Sequence, residues 1–397
     1  MSASSVYSLL RQHVLATLDP KLTVWSRERL VWLVMGMLAA KHASPARIAR
    51  ALFVLGLGDA CAQSLERRVR RIQNDEQITA ALCLHPFAKQ HLALGRPKHL
   101  LLGIDATTQE DRLVMLTVAV WYRGRALPLA WEVWPGNQVL EGAGFWERVQ
   151  ALLAVVAPLL PVGVPVIWLG DRAFGTPAFT DRVQAYGWHF VVRIQHQTRF
   201  RDRLGEQGSV GAWLREPHQR RKGEYALFKK AGWRALSLVG HWGAGHRLPL
   251  CVVSDLPTGW YLLHLYRRRF AIEGMFRDLK SSGWEWEAGQ VKDIEHVKRH
   301  LVGMALAMWV MLLVGSLVAK EVLERRASGQ CRTRPWWGKF SLFTLGLDRW
   351  QQWLYTQPPR GQEWRLRDWE APHWQAQCLA HQVRAYIFNL NTKPVRP

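Results

Sequence analysis

At 397 residues the chain is too long for one ordinary domain, and with 49% of its residues hydrophobic it has the material for a sizeable core, which excludes global disorder. Lys and Arg number 53 against 31 Asp and Glu, a formal net charge of +22. Basicity on that scale implies a polyanionic partner, nucleic acid first, over an unusually basic solubility surface or attraction to anionic lipid.

Met1 to Pro20 carries Arg11 and His13 and no long apolar run, so no secretory signal is expected. Arg27 to Lys41 carries an apolar stripe of Leu30, Val31, Leu33, Val34 and Leu38 and predicts a helix. Ser44-Pro45 reads as an N-cap followed by proline in the first turn, opening a helix to about Leu55. After a break at Gly56 and Gly58, Asp59 is expected to cap a helix from Ala60 to about Gln73. On that helix Leu65, Val69 and Ile72 form the buried stripe, while Arg67, Arg70 and Arg71 project opposite, with Arg68 on the flank. Two readings fit residues 1–96: a helix-turn-helix-like DNA-binding domain using those arginines, or a helical bundle with a solvated basic face.

Gly95 to Lys98 marks a boundary, after which the period changes to that of strands. His99–Ile104, Leu113–Tyr122 and Ala126–Trp134 read as strands, Glu141–Val156 as a helix, Val164–Leu169 as a buried strand, Thr176–Tyr186 as a short helix, and Trp188–Ile194 as a strand. The order predicts an α/β fold, a mixed sheet with helices packed on it. Residues 196–247 are polar, basic and glycine-containing, and are expected to form a β-rich insertion that leaves the sheet and returns at Leu248–Ser254. A helix from about Thr258 to Ser281 follows. Leu301–Ala319, without one charged residue, is just long enough to span a bilayer; a helix apolar on all sides also suits the centre of a large fold, and no membrane association is expected. Residues 97–195 and 248–325 thus form the two parts of a core, and 326–397 a basic, Trp-rich C-terminal region. The five cysteines are scattered and odd in number, which suits a reducing cytosol, and His373, Cys378 and His381 lack a fourth nearby ligand for zinc.

Asp105 and Asp171 each end an apolar run, LLLGIDAT and VPVIWLGDRAF, where open α/β sheets place their ligand groups. Either alone reads as a turn residue; together, on strands that can be neighbours, they suggest a site for a divalent cation. In YRRRFAIEGMFRDLK, an ideal helix puts Tyr266, Arg269, Glu273 and Lys280 within an arc of about 60° beside the apolar face of Leu265, Ile272, Met275, Phe276 and Leu279. Asp278 falls on the far side.

Asp105, Asp171 and Glu273, with Tyr266, Arg269 and Lys280 set around the Glu as Y-x2-R-x3-E-x6-K, resemble the DDE transposases of the insertion-sequence-four type. The resemblance covers about Leu100 to Ala319 and is weakest in the tail. It implies an RNase H-like fold and Asp105, Asp171 and Glu273 as catalytic metal ligands. It further implies Mg²⁺ as cofactor with Mn²⁺ as substitute, and a homodimer acting on double-stranded DNA at element ends and target. A cytoplasmic, nucleoid-associated bacterial protein is implied as well. Carboxylate ligands suit these hard cations, and three of them can hold two ions across a scissile phosphate. Tyr266, Arg269 and Lys280 would then face DNA phosphates. In relatives this set accompanies a DNA hairpin with a flipped base, for which Trp213, Trp233 and Trp242 are candidates, none of them assigned. A nuclease that cuts without joining and a catalytically idle DNA-binding regulator are the alternatives.

Overall fold

The computed structural model describes residues 2–58, 61–138, 140, 142–289, 291, 293–328, 341–358, 364–367 and 369. Five helices open the chain: α1 (Ser2–Leu15), α2 (Val24–Ala40), α3 (Pro45–Val54), α4 (Ala62–Gln73) and α5 (His85–Gly95). Ser44 holds the N-cap position of α3 with Pro45 in the first turn, as the sequence suggests, although its side chain makes no capping bond. The N-cap of α4 is Cys61; Asp59 lies outside the described residues. Leu65, Val69 and Ile72 are buried, and Arg67, Arg68, Arg70 and Arg71 are exposed.

The sheet begins with β1 (Leu100–Gln109), β2 (Leu113–Tyr122) and β3 (Arg125–Pro135), an antiparallel meander turned at Gly124, whose φ of 88° only glycine adopts readily. After α6 (Gly142–Val156) come β4 (Val166–Gly170), α7 (Pro177–Gln184) and β5 (His189–Arg193). β4 lies parallel to both β1 and β5, so the sheet is mixed and flanked by helices, the architecture expected from the element order. Parallel strands buried on both faces read as continuous apolar runs, and β4 is buried throughout.

The insertion departs from expectation. β6 (Arg199–Arg201), β7 (Gln207–Ser209), β8 (Arg220–Leu227) and β9 (Arg234–His241) do not leave the sheet. With β10 (Leu250–Ser254) they extend it, in the order β3-β2-β1-β4-β5-β10-β9-β8-β6-β7, ten strands among the described residues. The reason is that β10 pairs antiparallel with β5 and offers its other edge to β9, so the hydrogen-bond ladder runs on unbroken.

The expected single helix over 258–281 is three pieces: α8 (Tyr261–Arg267), α9 (Phe270–Arg277) and a π-helical turn from Asp278 to Ser282. Between α8 and α9 the amides of Arg268 and Arg269 bond three residues back, to the carbonyls of Leu265 and Tyr266, which tightens the coil and offsets the two axes. α8 packs over β4, β5, β10 and β9, and α9 over β1, β2 and β3, so the pair crosses one face of the sheet. α10 (Ile294–Ala327) is the apolar helix. Its most hydrophobic window is wholly buried, packed by α2, β3 and α11 (Leu342–Tyr355), and Trp309 donates its indole N–H to the carbonyl of Pro128 at 2.9 Å. Gly315 on α10 and Gly346 on α11 allow this approach: a Cβ on either would strike the backbone of the other helix, at Leu342 and Met311. Trp350, Trp353, Trp364 and Trp369 belong to the same core, whereas Trp336, Trp337, Trp374 and the His373–Cys378–His381 group lie outside the described residues.

Candidate active site

Strand register brings the two aspartates together. The β1–β4 pairing ends at Ile104 and Gly170, so Asp105 and Asp171 are the next residues of adjacent parallel strands, separated by about 4.8 Å of sheet width. The sequence predicts that Asp105 ends its strand; instead β1 runs on to Gln109, beyond the shorter β4, and Asp105 lies within it. Side chains alternate between faces, and Gly103, paired with Leu169, packs against Ile272 of α9. Two residues further on, Asp105 and Asp171 therefore point to that same face, the one crossed by α8 and α9. Asp171 is fixed by its own turn: its Oδ1 accepts from the amide of Ala173 at 2.8 Å and its carbonyl from the amide of Phe174 at 3.1 Å.

Arg269 closes the group. Its guanidinium donates to Asp105 Oδ2 and to Glu273 Oε1, each at 2.6 Å, and the residue is only 7% exposed. The offset between α8 and α9 sets this geometry, since Arg269 sits at the start of α9 with its carboxylate partner one turn on. Burial raises the pKa of Asp105 above the usual carboxylate range; Arg269 opposes the rise, while Asp171 and Glu273 add to it. For Arg269, burial works against the charged form, but Tyr266, Asp105 and Glu273 together prevail and raise its pKa. Tyr266 is buried beside Arg269, and burial chiefly raises its pKa too, so it is a neutral prop under the guanidinium.

Lys280 lies in the π-helical turn, not on a continuous helix face. Its ammonium still reaches the sheet, donating to the carbonyl of Thr108 on β1 and pairing with Glu287 at 3.1 Å. Asp278 points away from the carboxylates, as its position on the helix suggests. It is nonetheless buried, paired with Arg125 at 3.4 Å, and desolvation pushes its pKa up to about 6. Arg193 was not apparent from the sequence. It ends β5 level with Asp171, and its Nε is buried with no hydrogen-bond partner among the described residues. The signal lay in HFVVR, an apolar strand closing on a charged residue at the same sheet end as both aspartates.

The sites expected in α4 are elsewhere. Arg67, Arg70 and Arg71 stand on a helix packed against α2, α3 and α10, and Arg70 is engaged by Glu66 at 2.7 Å. Of the three tryptophans considered for stacking on a base, Trp213 is core, Trp242 is tied by its indole N–H to the carbonyl of His246 at 2.7 Å, and Trp233 lies under Arg201 at 5.0 Å.

The donor set is three carboxylates with no thiol or imidazole, which suits a hard divalent cation, and their mutual repulsion at Asp105 is what such a cation relieves. With Arg269 spanning Asp105 and Glu273, no three acidic, His or Cys side chains among the described residues close up as a metal cluster. The arginine stands in for the positive charge.

No curated protein sequence matches the chain. Among solved structures, the cryo-EM structure of a piggyBac transposase synaptic complex with hairpin DNA aligns with TM-score 0.40 and 10% identity, covering 100% of this chain and 84% of the other. Residues 147–310 match the family model described as the transposase DDE domain, a segment that holds Asp171, Tyr266, Arg269, Glu273 and Lys280 but begins after Asp105. Over that segment, with Asp105 brought alongside by strand pairing, the chain is similar to the DDE domain of transposases.

Proposed function

We propose that the protein is a transposase of the insertion-sequence-four type, acting as a homodimer. On this reading it binds the terminal inverted repeats of a mobile DNA element, cleaves the strands there and joins the freed 3′-ends to target DNA. The observation that carries the reading is the placement of Asp105 beside Asp171 by strand pairing, with Arg269 joining Asp105 to Glu273 on the helix above.

Asp105, Asp171 and Glu273 would hold Mg²⁺ or Mn²⁺, which when bound supplies the activation of a water or 3′-hydroxyl and the neutralisation of the leaving oxygen. The remaining work belongs to the chain. The rigid Asp171 turn and the long β1 hold two carboxylates at fixed separation, which removes the entropic cost of assembling them. Arg269, always charged, spans Asp105 and Glu273; were those carboxylates to hold a cation, its two-pronged guanidinium would be available to a phosphate oxygen. Buried Tyr266 limits where that guanidinium can swing. Lys280, anchored on Thr108, adds positive charge along β1 for the adjoining phosphate.

The test is incubation with labelled DNA carrying the terminal repeats that flank the gene, with and without Mg²⁺. Metal-dependent nicking followed by joined product is the expected result. Cleavage with no joined product would reduce the protein to a nuclease, and binding with no cleavage to a regulator.

A further inference from the structure

The register that places the aspartates continues across the sheet. Asp171 is level with Arg193 on β5, Arg193 pairs with Val252 on β10, Val252 with Val239 on β9, and Val239 with Lys222 on β8. Two residues further out, on the same face and at the same rim, His241 of β9 pairs with Arg220 of β8. α8 crosses this rim and adds His264 and Arg267, one turn apart and immediately beside Tyr266. His246 closes the outer end: its ring and that of His241 flank Gly243.

The cluster holds cationic and basic groups only. The charged groups that act most on His241 are Arg220, Arg267, His246 and His218, and on His264 Arg267, Arg268 and Arg220; among the described residues no carboxylate is among them. Arg268 is stacked on Trp121 at 4.5 Å and Lys222 lies over Trp260 at 5.5 Å. Arg220 and Arg267 are exposed and enter no ion pair among the described residues, although many other surface arginines, such as Arg11, Arg70, Arg203 and Arg234, have carboxylate partners. Like charges gathered without counter-ions cost free energy in the free protein, and an anion relieves that cost.

We propose that Arg220, His241, His264 and Arg267 form a second, proton-linked phosphodiester-binding site, which takes the DNA backbone leading away from the carboxylates. It deepens the transposase reading and rests on it. Three to four strand spacings separate the cluster from Asp171, about 14–19 Å across the sheet, which is about four to six nucleotides along a duplex axis. Arg193 lies between, on β5. Burial first, then the neighbouring cations, hold both histidines below their ordinary pKa, so they enter the complex neutral near neutral pH. A phosphate placed among them reverses that balance, and binding takes up protons.

Fluorescence anisotropy with the full chain and a labelled duplex of arbitrary sequence tests this, with salt and pH varied. The Arg220→Ala/Arg267→Ala variant should lower the slope of log affinity against log salt by about 2. Wild-type affinity should rise about tenfold as pH falls from about 8 to about 6, and His241→Gln/His264→Gln should remove most of that rise. All four side chains are at least partly exposed, and the single Arg220→Gln change, at an exposed position, serves if either double variant unfolds. Unchanged slope and pH dependence in stable variants, alongside normal cleavage of element ends, would overturn the site and leave the transposase reading standing. Binding with the expected slope and pH response but no cleavage would uphold the site and overturn that reading. Inorganic phosphate at matched ionic strength forms the last arm: suppression of the pH-linked component at millimolar phosphate would mean a site for free phosphate and overturn the DNA assignment, and persistence would support it.

Discussion

Replacing Arg269 with alanine leaves Asp105, Asp171 and Glu273 facing one another with no cation between them. The lost bond to Asp105, whose side chain is 17% exposed, is a charge-assisted one worth about 1.5–3 kcal/mol. The bond to Glu273, at 47% exposure, is screened by solvent and worth about 0.3–0.5 kcal/mol. The metal-free variant should thus lose about 2–3 kcal/mol. Unfolding entropy of about 2.1 cal/mol/K per residue over 397 residues converts this into a fall of about 2–4 °C in apparent Tm. The distinguishing measurement is the same thermal scan with Mg²⁺. In the wild type the metal must displace the guanidinium, whereas in the variant it meets bare carboxylates, so Mg²⁺ should raise the Tm of Arg269→Ala by more than that of the wild type. DNA cleavage by the variant should be slow at saturating metal, because the phosphate has lost its guanidinium partner, and Arg269→Lys should be impaired as well. Equal stabilisation by Mg²⁺ in both proteins, or normal cleavage kinetics at every step, would refute the reasoning.

Asp105→Ala, Asp171→Ala and Glu273→Ala should each abolish cleavage in a gel assay while leaving DNA affinity largely intact, since affinity comes mainly from cations meeting phosphates. Asp278→Asn should retain cleavage and change the pH profile of stability. A folded pKa of about 6 exceeds the unfolded value of about 3.9, so this group's contribution is present at low pH and lost as pH rises from about 4 to about 6, and the variant's denaturation midpoint should flatten across that window. Arg67→Ala/Arg71→Ala in the full chain should weaken binding to element ends, measured by mobility shift, with no change in Tm; undiminished selection of those ends would remove α4 from DNA recognition. The full chain is the right vehicle, because α1 and α2 pack on α11 and α10 and a truncation before β1 would expose that core. Gly346→Ala should force α11 off α10 and lower Tm by several degrees, and an unaltered Tm would contradict the close helix approach.

Much of the site was legible because its signals are short in sequence. Apolar runs closing on Asp105 and Asp171 need only the local pattern of a buried strand, and the spacing of Tyr266, Arg269 and Glu273 survives because each lies within about one turn of the next. The stripe of Leu65, Val69 and Ile72 and the burial of α10 were legible for the same reason. The same logic failed at Lys280, since a helical wheel assumes an unbroken axis and the chain tightens at Arg268 and widens at Asp278.

What the tertiary structure alone decided is pairing between distant segments. Nothing local says that β1 and β4 are neighbours, that β1 outruns β4 so that Asp105 clears the ladder, or that β9 and β8 extend the sheet on the far side of β10. Strand register is settled by hydrogen bonds and by which faces the helices bury, and a slip of one residue would turn every side chain to the other face. Through that register Arg193, His241 and Arg220, which the sequence disperses over separate segments, share one rim with the carboxylates. The chain's own residues determined which chemistry is available; the register determined which groups meet, because side-chain direction follows from long-range pairing that no local pattern encodes.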